Sequence, residues 1–229
     1  MILTNRLFER SEPTRDAKSV YIFSEGAKRE VQYFLYFRGI DSRINIEIYP
    51  LDPQENNSPV GLYNIACECI VKTHENPNPK YEFINGIDEV WFVIDIDRWG
   101  EQIGELQKEC NRHNDWNVAQ SNPCFEVWLY FHLYSDKAQF EGIERCTNWK
   151  VFLNQQVRGG FDSRRHPIFI KEAIENAKSN FKNSNNAPSV GCSDVFKLGQ
   201  TIYPLIENKI NVVRNNLSNK SNSQIDLLL

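Results

Sequence analysis

Two stretches of the chain share one hydrophobic and polar pattern. Val20 to Gly26 reads Val-Tyr-Ile-Phe-Ser-Glu-Gly, and Val90 to Gly100 reads Val-Trp-Phe-Val-Ile-Asp-Ile-Asp-Arg-Trp-Gly. In each, an apolar, β-branched and aromatic run stops at acidic residues and then a glycine, the pattern of a buried parallel strand reaching the functional edge of its sheet. Between them, Glu30 to Phe37 carries Val31, Phe34, Leu35 and Tyr36 at helical spacing, and Gly39 closes the run. Ile44, Ile46 and Ile48 alternate with polar residues over Arg43 to Tyr49, which predicts a half-buried strand near a sheet edge. After Pro50, Pro53 and Pro59, a helix is expected over 60–73, with Leu62, Ile65, Ala66, Cys69 and Ile70 on one face. Residues 75–80 read as a loop.

The run from Glu89 to Ile94 is almost wholly apolar and so is predicted as a central strand, with Gln102 to Arg112 as its helix. Asn117 to Gln120 supplies a short fourth strand. Ser121-Asn122-Pro123 then opens a helix from Cys124 to Leu133, with proline at the first helical position and the short polar side chain as its cap. This alternation predicts an α/β fold, a three-layer sandwich with a central, largely parallel sheet over 19–133. An arm is expected over 1–18 and a mostly helical C-terminal extension over 134–215, with no further central strand. Within the extension, Trp149 to Gln156, Ile168 to Phe181 and Ser193 to Asn215 have helical spacing, and Pro204 is read as a kink or break. The Asn- and Ser-rich tail 216–229 is expected to be mobile.

Composition narrows the class. The 229 residues, 41% of them hydrophobic, suffice for a substantial core, and no apolar run approaches the ~20 residues of a membrane span. Met1-Ile2-Leu3-Thr4-Asn5-Arg6 leads into alternating charges instead of a signal-peptide core, so a cytoplasmic protein without membrane contact is expected. The six cysteines are scattered, none in a Cys-x-x-Cys spacing, and read as reduced thiols. His74, His113 and His132 lack a metal-ligand spacing. Net charge is −4, yet Arg145 to Lys220 holds 12 basic and 5 acidic residues while the remainder holds 14 and 25. That asymmetry suits a metal site beside a polyanion-binding surface, with uneven solvation charge as the alternative.

The candidate chemistry lies at the strand ends. Asp95 and Asp97 leave the third strand on one side if strand geometry persists, and Glu25 reaches the same edge, where ligands of open α/β sheets bind. Paired carboxylates suit Mg2+, with Mn2+ possible, because the ion takes one or two protein carboxylates and completes its shell with water and phosphate oxygens. Gly26 and Gly100 would let the backbone turn close to a ligand. Glu126, in the first turn of its helix, could hold a second metal or simply answer the helix dipole. Lys28, Arg29 and Arg98 flank the acids and could hold a phosphate or form salt bridges among them. Asn122 is read as a helix cap, a metal-water ligand being the alternative. Arg158, Arg164, Arg165 and Lys171, around Gly159-Gly160 and near His166, could grip a nucleic-acid backbone or be surface charge.

These residues resemble a known pattern. Glu25-Gly26 after a first hydrophobic strand and Asp95-x-Asp97-x-x-Gly100 after a third are similar to the Toprim signature of bacterial primases, type IA and II topoisomerases and OLD-type nucleases. More narrowly, Ser24-Glu25-Gly26-x-x-x-Glu30-x-x-Tyr33-Phe34, the strand ending Asp95-x-Asp97, and Ser121-Asn122-Pro123-Cys124-Phe125-Glu126-x-Trp128-Leu129 resemble the RloB-like family of small bacterial Toprim proteins, including the AbiL second component. The similarity runs over roughly residues 15–215. Two departures stand out: Lys28-Arg29-Glu30 where many relatives have Lys-Thr-Glu, and Asp95-Ile96-Asp97 where many have Asp-Arg-Asp.

The resemblance implies Mg2+-dependent phosphodiester cleavage of DNA or RNA, transfer RNA included by analogy. Asp95 and Asp97 would hold the metal, Glu25 would act as acid or base, and Glu126 would assist. It also implies a role as effector of an anti-phage or abortive-infection module, encoded beside an ABC-like ATPase. A catalytically idle nucleic-acid-binding or ATPase-regulating module is the competing expectation. A metal-nucleotide site of a sugar transferase would leave Glu25-Gly26 and Ser121 to Glu126 unexplained.

Overall fold

The computed structural model describes residues 8–184 and 187–220. Its elements follow the alternation of the sequence: β1 (Lys18–Ser24), α1 (Arg29–Leu35), β2 (Ile44–Ile48), α2 (Pro59–Ile70), β3 (Glu89–Asp95), α3 (Glu101–Cys110), β4 (Trp116–Asn122) and α4 (Glu126–Tyr130). There follow α5 (Cys146–Gln156), a 3-10 turn (His166–Phe169), α6 (Ile170–Asn180), the short strands β5 (Asn183–Ser184), β6 (Ala187–Pro188) and β7 (Cys192–Ser193), and the long α7 (Phe196–Lys220).

The main sheet has the order β2-β1-β3-β4-β7, its first four strands mutually parallel and β7 antiparallel to β4. β3 is central, as its continuous apolar run requires, and β2 lies at an edge, as its alternation requires. Successive side chains of β1 and β3 enter opposite cores. Val20, Ile22, Trp91 and Val93 join Ile44, Ile46 and Ile48 in a core closed by α1, α4, α5, α6 and α7. Tyr21, Phe23, Val90, Phe92 and Ile94 join Leu62, Ala66, Ile103 and Leu106 of α2 and α3 in the other. The result is a three-layer sandwich. On its larger side, α7 buries a stripe of Ile202, Ile206, Ile210 and Val213, so the chain after residue 133 shares one core with β1, β2 and β3.

Several local expectations change. Among the described residues no further central strand follows residue 133, but β7 adds an edge strand there, a two-residue pairing too short to show as a hydrophobic run. β4 extends through Asn122, and the helix after it begins at Glu126 instead of Cys124. Asn122 therefore caps no helix: its side-chain amide donates to the Pro188 carbonyl at 2.7 Å, tying β4 to β6. The helix around Pro204 neither breaks nor stops at 215. It runs unbroken to Lys220, with Pro204 on the exposed side, where its missing N–H faces away from the core. The expected mobile tail thus overlaps α7 over 216–220, and 221–229 lies outside the described residues, as does 1–7 of the arm. The rest of the arm is docked, Ser11 and Thr14 donating backbone hydrogen bonds to Gly39 and Ser42 at 2.8 Å each.

His132, assigned no role from sequence, joins α1 to α4. Its Nδ1 lies 3.1 Å from the Trp128 carbonyl, which can only accept, so Nε2 is left to accept from the Tyr33 hydroxyl at 3.0 Å. Burial pushes this imidazole down to about 3, so it stays neutral.

Candidate functional site

The parallel strands bring their C-terminal ends to one edge. Ser24 is level with Val93, and Asp95 with Ser121. Backbone pairing continues past the strands: Glu25 N–H donates to Val93, Ile96 to Ser121 and Asp97 to Pro123, at 3.2, 3.0 and 3.3 Å. These bonds hold the turn after β1, the turn after β3 and the link into α4 side by side. Between them opens a cleft of about 640 Å³ lined by Glu25, Gly26, Ala27, Lys28, Arg29, Glu30, Asn57, Asp95, Asp97, Arg98, Glu126, Cys146, Lys150 and Asn154.

All four proposed metal residues, Glu25, Asp95, Asp97 and Glu126, thus line one cleft, together with Lys28, Arg29 and Arg98. The strand ends at Asp95, however, so Asp97 stands in the turn beyond it and not on a continued strand. Glu25 and Glu126 are deeply set, with side chains 10% and 5% exposed. Each has an arginine at the limit of pairing distance: Arg98 Nη1 lies 4.0 Å from Glu25 Oε1, and Arg29 Nε lies 4.0 Å from Glu126 Oε1. Glu25 Oε2 is buried with no hydrogen-bond partner among the described residues. The Trp99 indole N–H, itself buried, faces this carboxylate and favours its charged form.

The remaining basic candidates stand elsewhere. Arg164 and Arg165 both pair with Asp162, at 3.2 and 3.7 Å. Arg164 lines a separate hollow with Gln32, Leu35, Gly159 and Phe161. Neither Arg158 nor Lys171, on α6, is among the residues lining the acidic cleft.

Glu30 was legible only as part of a motif. It is 7% exposed and sits among the other acids, and its carboxyl occupies the space that a side chain at Gly26 would need. A Cβ on Gly26 would lie 1.9 Å from Glu30 Oε2, so this glycine makes room for a carboxylate. Gly100 serves differently: at φ 38° it turns the chain into α3.

Electrostatics mark the cleft as strained. Burial, then the neighbouring Glu126 and Glu25, pushes the Glu30 carboxyl up to about 7. Asp95 is raised well above the usual carboxylate range by burial first and then by Glu30, Glu25 and Glu126. Glu25 is raised by burial, only partly offset by Trp99 and a backbone hydrogen bond, with Asp97 adding to the rise.

A helix from the C-terminal half completes the wall. Cys146, Lys150 and Asn154 recur every fourth residue of α5 and line the cleft as one stripe. Burial disfavours the Lys150 ammonium, but Glu126 and Cys146 more than offset it and hold its pKa above the ordinary value. Helical periodicity could have found the stripe, but nothing in the sequence indicated which face would meet the acids. Two of the six cysteines meet in space: Cys124, 22 residues before Cys146, donates through its thiol to the Cys146 carbonyl at 3.9 Å.

No helix among the described residues is long and apolar enough to cross a membrane. No curated protein and no solved structure matches the chain. The family model described as RloB-like protein matches residues 20–208, a span that holds every residue lining the acidic cleft. The chain belongs to the RloB-like protein family.

Proposed function

We propose that the protein is a divalent-metal-dependent nuclease of the Toprim type. The observation that carries this reading is the convergence of Glu25, Glu30, Asp95, Asp97 and Glu126 in one cleft at the C-terminal edge of a parallel sheet, rimmed by Lys28, Arg29, Arg98 and Lys150. The donor set fits Mg2+, with Mn2+ as a substitute. Its oxygens are hard, and the buried Glu25 Oε2 has no hydrogen-bond partner among the described residues. Asp95 and Asp97, with Glu25 and Glu126, are the residues that would hold the ion. Bound there, the ion would supply Lewis-acid stabilisation to a phosphodiester.

The chain's own groups account for the rest. A buried carboxyl with a raised pKa, as at Glu25, is a stronger base than a solvated carboxylate, which suits a general base or, once protonated, an acid to the leaving oxygen. Lys28, Arg29, Arg98 and Lys150 would orient the phosphate by charge-assisted hydrogen bonds. DNA and RNA both present that phosphate. Transfer RNA, a cytoplasmic location, an ABC-like ATPase partner and a role in phage defence come from the family resemblance.

Purified protein, with its ATPase partner and trigger, should lose at least about 100-fold in cleavage rate in Glu25→Gln and in Asp95→Asn, a loss of the size that removing a group aimed at the reacting charge produces. Undiminished cleavage in both variants removes the mechanism. The Arg98–Glu25 and Arg29–Glu126 pairs favour one rival, an idle module whose acids serve the fold. Retained phage protection with Glu25, Asp95 and Asp97 all neutralised would select it.

A further inference from the structure

At the floor of the cleft the acids meet sulfur. Asp95 at the end of β3, Cys124 in the link after β4 and Cys146 at the first residue of α5 each offer one ligand atom, and these atoms lie within 4.8 Å of one another. We propose that Asp95, Cys124 and Cys146 form a three-ligand site for a thiophilic divalent cation, Zn2+ being the physiological candidate.

Ligand chemistry supports the assignment. Two thiolates and one carboxylate are a borderline-soft set that favours Zn2+ or Cd2+ over Mg2+, which prefers oxygen alone. In a tetrahedral centre with Zn–S of about 2.3 Å, ligating sulfurs stand about 3.8 Å apart, so side-chain movements of about 1 Å bring the three atoms into range. Three protein ligands leave the fourth position open, and here it would face the cleft, which Asp95 and Cys146 both line.

The surroundings suit the charge. Binding expels the two thiol protons and leaves a centre of net charge −1, beside the Lys150 ammonium, which faces Cys146. The Cys124 thiol, now spent on a weak 3.9 Å bond to a carbonyl, would exchange it for the metal. Cys124 is fully buried and backed by the core, so its sulfur has little freedom to turn away. The ligands come from three separate elements, which is why no cysteine spacing announced them.

A consequence rests on the function proposed above. Because Asp95 belongs to both donor sets, a thiophilic ion at this site would displace Mg2+ chemistry, making Zn2+ an inhibitor of the cleavage that Mg2+ supports.

The test uses the full-length chain, reduced with a non-thiol reductant and freed of metal, titrated with Cd2+ while the ultraviolet thiolate-to-cadmium charge-transfer absorption is recorded. We expect one saturating equivalent, an affinity at least tenfold lower in Cys146→Ser and in Asp95→Asn, and no change in Cys110→Ser, whose thiol lies in the opposite core. Absence of the band, or an equal affinity in Cys146→Ser, overturns the site. Zn2+ should abolish the Cd2+ band by competition. Adding Mg2+ separates the two proposals. A lowered apparent Cd2+ affinity supports the shared aspartate, whereas a band indifferent to Mg2+ upholds the thiol site and removes Asp95 from the Mg2+ donors.

Discussion

At the scale of single residues, the site is a set of acids held in a medium that disfavours their charge. Glu30 shows the cost. Its pKa of about 7 in the folded chain lies above the ordinary 4.5, so between these values the folded state binds more protons than the unfolded one. Stability therefore falls as pH rises across that window, by an upper bound of about 3 kcal/mol for this group alone. Asp95 and Glu25, raised in the same sense, add to the fall. Metal-free protein should accordingly melt at a higher temperature near pH 5 than near pH 8, and Glu30→Gln should flatten the difference. Thermal denaturation across pH checks this, and a melting temperature that rises with pH would contradict the burial argument. Gly26→Ala supplies a second test. The new methyl would displace the Glu30 carboxyl, the mobile end of a side chain, so the melt should shift by no more than about 1–3 kcal/mol while calorimetric Mn2+ binding weakens severalfold.

At the scale of elements, two helices from the C-terminal half do different work. The stripe on α5 brings a cation and a thiol to the acids, so Lys150→Ala should weaken binding of a non-cleaved oligonucleotide and reduce the salt slope of its affinity by about one ion. Fluorescence anisotropy at several salt concentrations measures both quantities; an unchanged slope would place Lys150 off the phosphate path. α7 is a packing element that carries an internal proline. Pro204 is exposed, so replacing it removes no core contact and restores an N–H to the helix. Pro204→Ala should stabilise the protein by about 1–3 kcal/mol in urea titration. Ile206→Ala, on the buried stripe, should destabilise it by about 2–5 kcal/mol.

At the scale of the whole molecule, the helices after residue 133 are part of the fold, because they roof the sheet face bearing Val20, Ile22, Ile44, Ile46, Trp91 and Val93. Each of these side chains contributes about 1.5–3 kcal/mol by burial, and net stabilities are only about 5–15 kcal/mol. A fragment ending at residue 145 exposes that face and should not fold cooperatively. Circular dichroism and limited proteolysis of the fragment are the checks, and a sharp, native-like melt would show instead that α1 and α4 suffice as a roof.

The central place of β3 and the edge place of β2 were legible because burial on two faces demands an unbroken apolar run, and burial on one face demands alternation. Glu25, Asp95 and Asp97 were legible because a buried strand that stops at an acid places that acid at the sheet's ligand-binding edge. Other features have no such local signature. β7 is two residues long, Asn122 pairs with a carbonyl 66 residues away, and Pro204 is tolerated only because its side of α7 faces solvent. Glu30 looked like one more acid in a helix until Gly26 was seen to leave room for its carboxyl. The sequence by itself determined the alternation of elements and which acids end the strands, since both follow from short-range periodicity. Only the tertiary structure decided that Glu30, Cys146 and Lys150 face those acids, that Cys124 stands beneath them, and that Arg164 and Arg165 do not join them. The placements of Cys146 and Lys150 depend on how α5 docks across the sheet, and those of Glu30 and Cys124 on how α1 and the link after β4 pack against it, long-range choices to which no local pattern is sensitive.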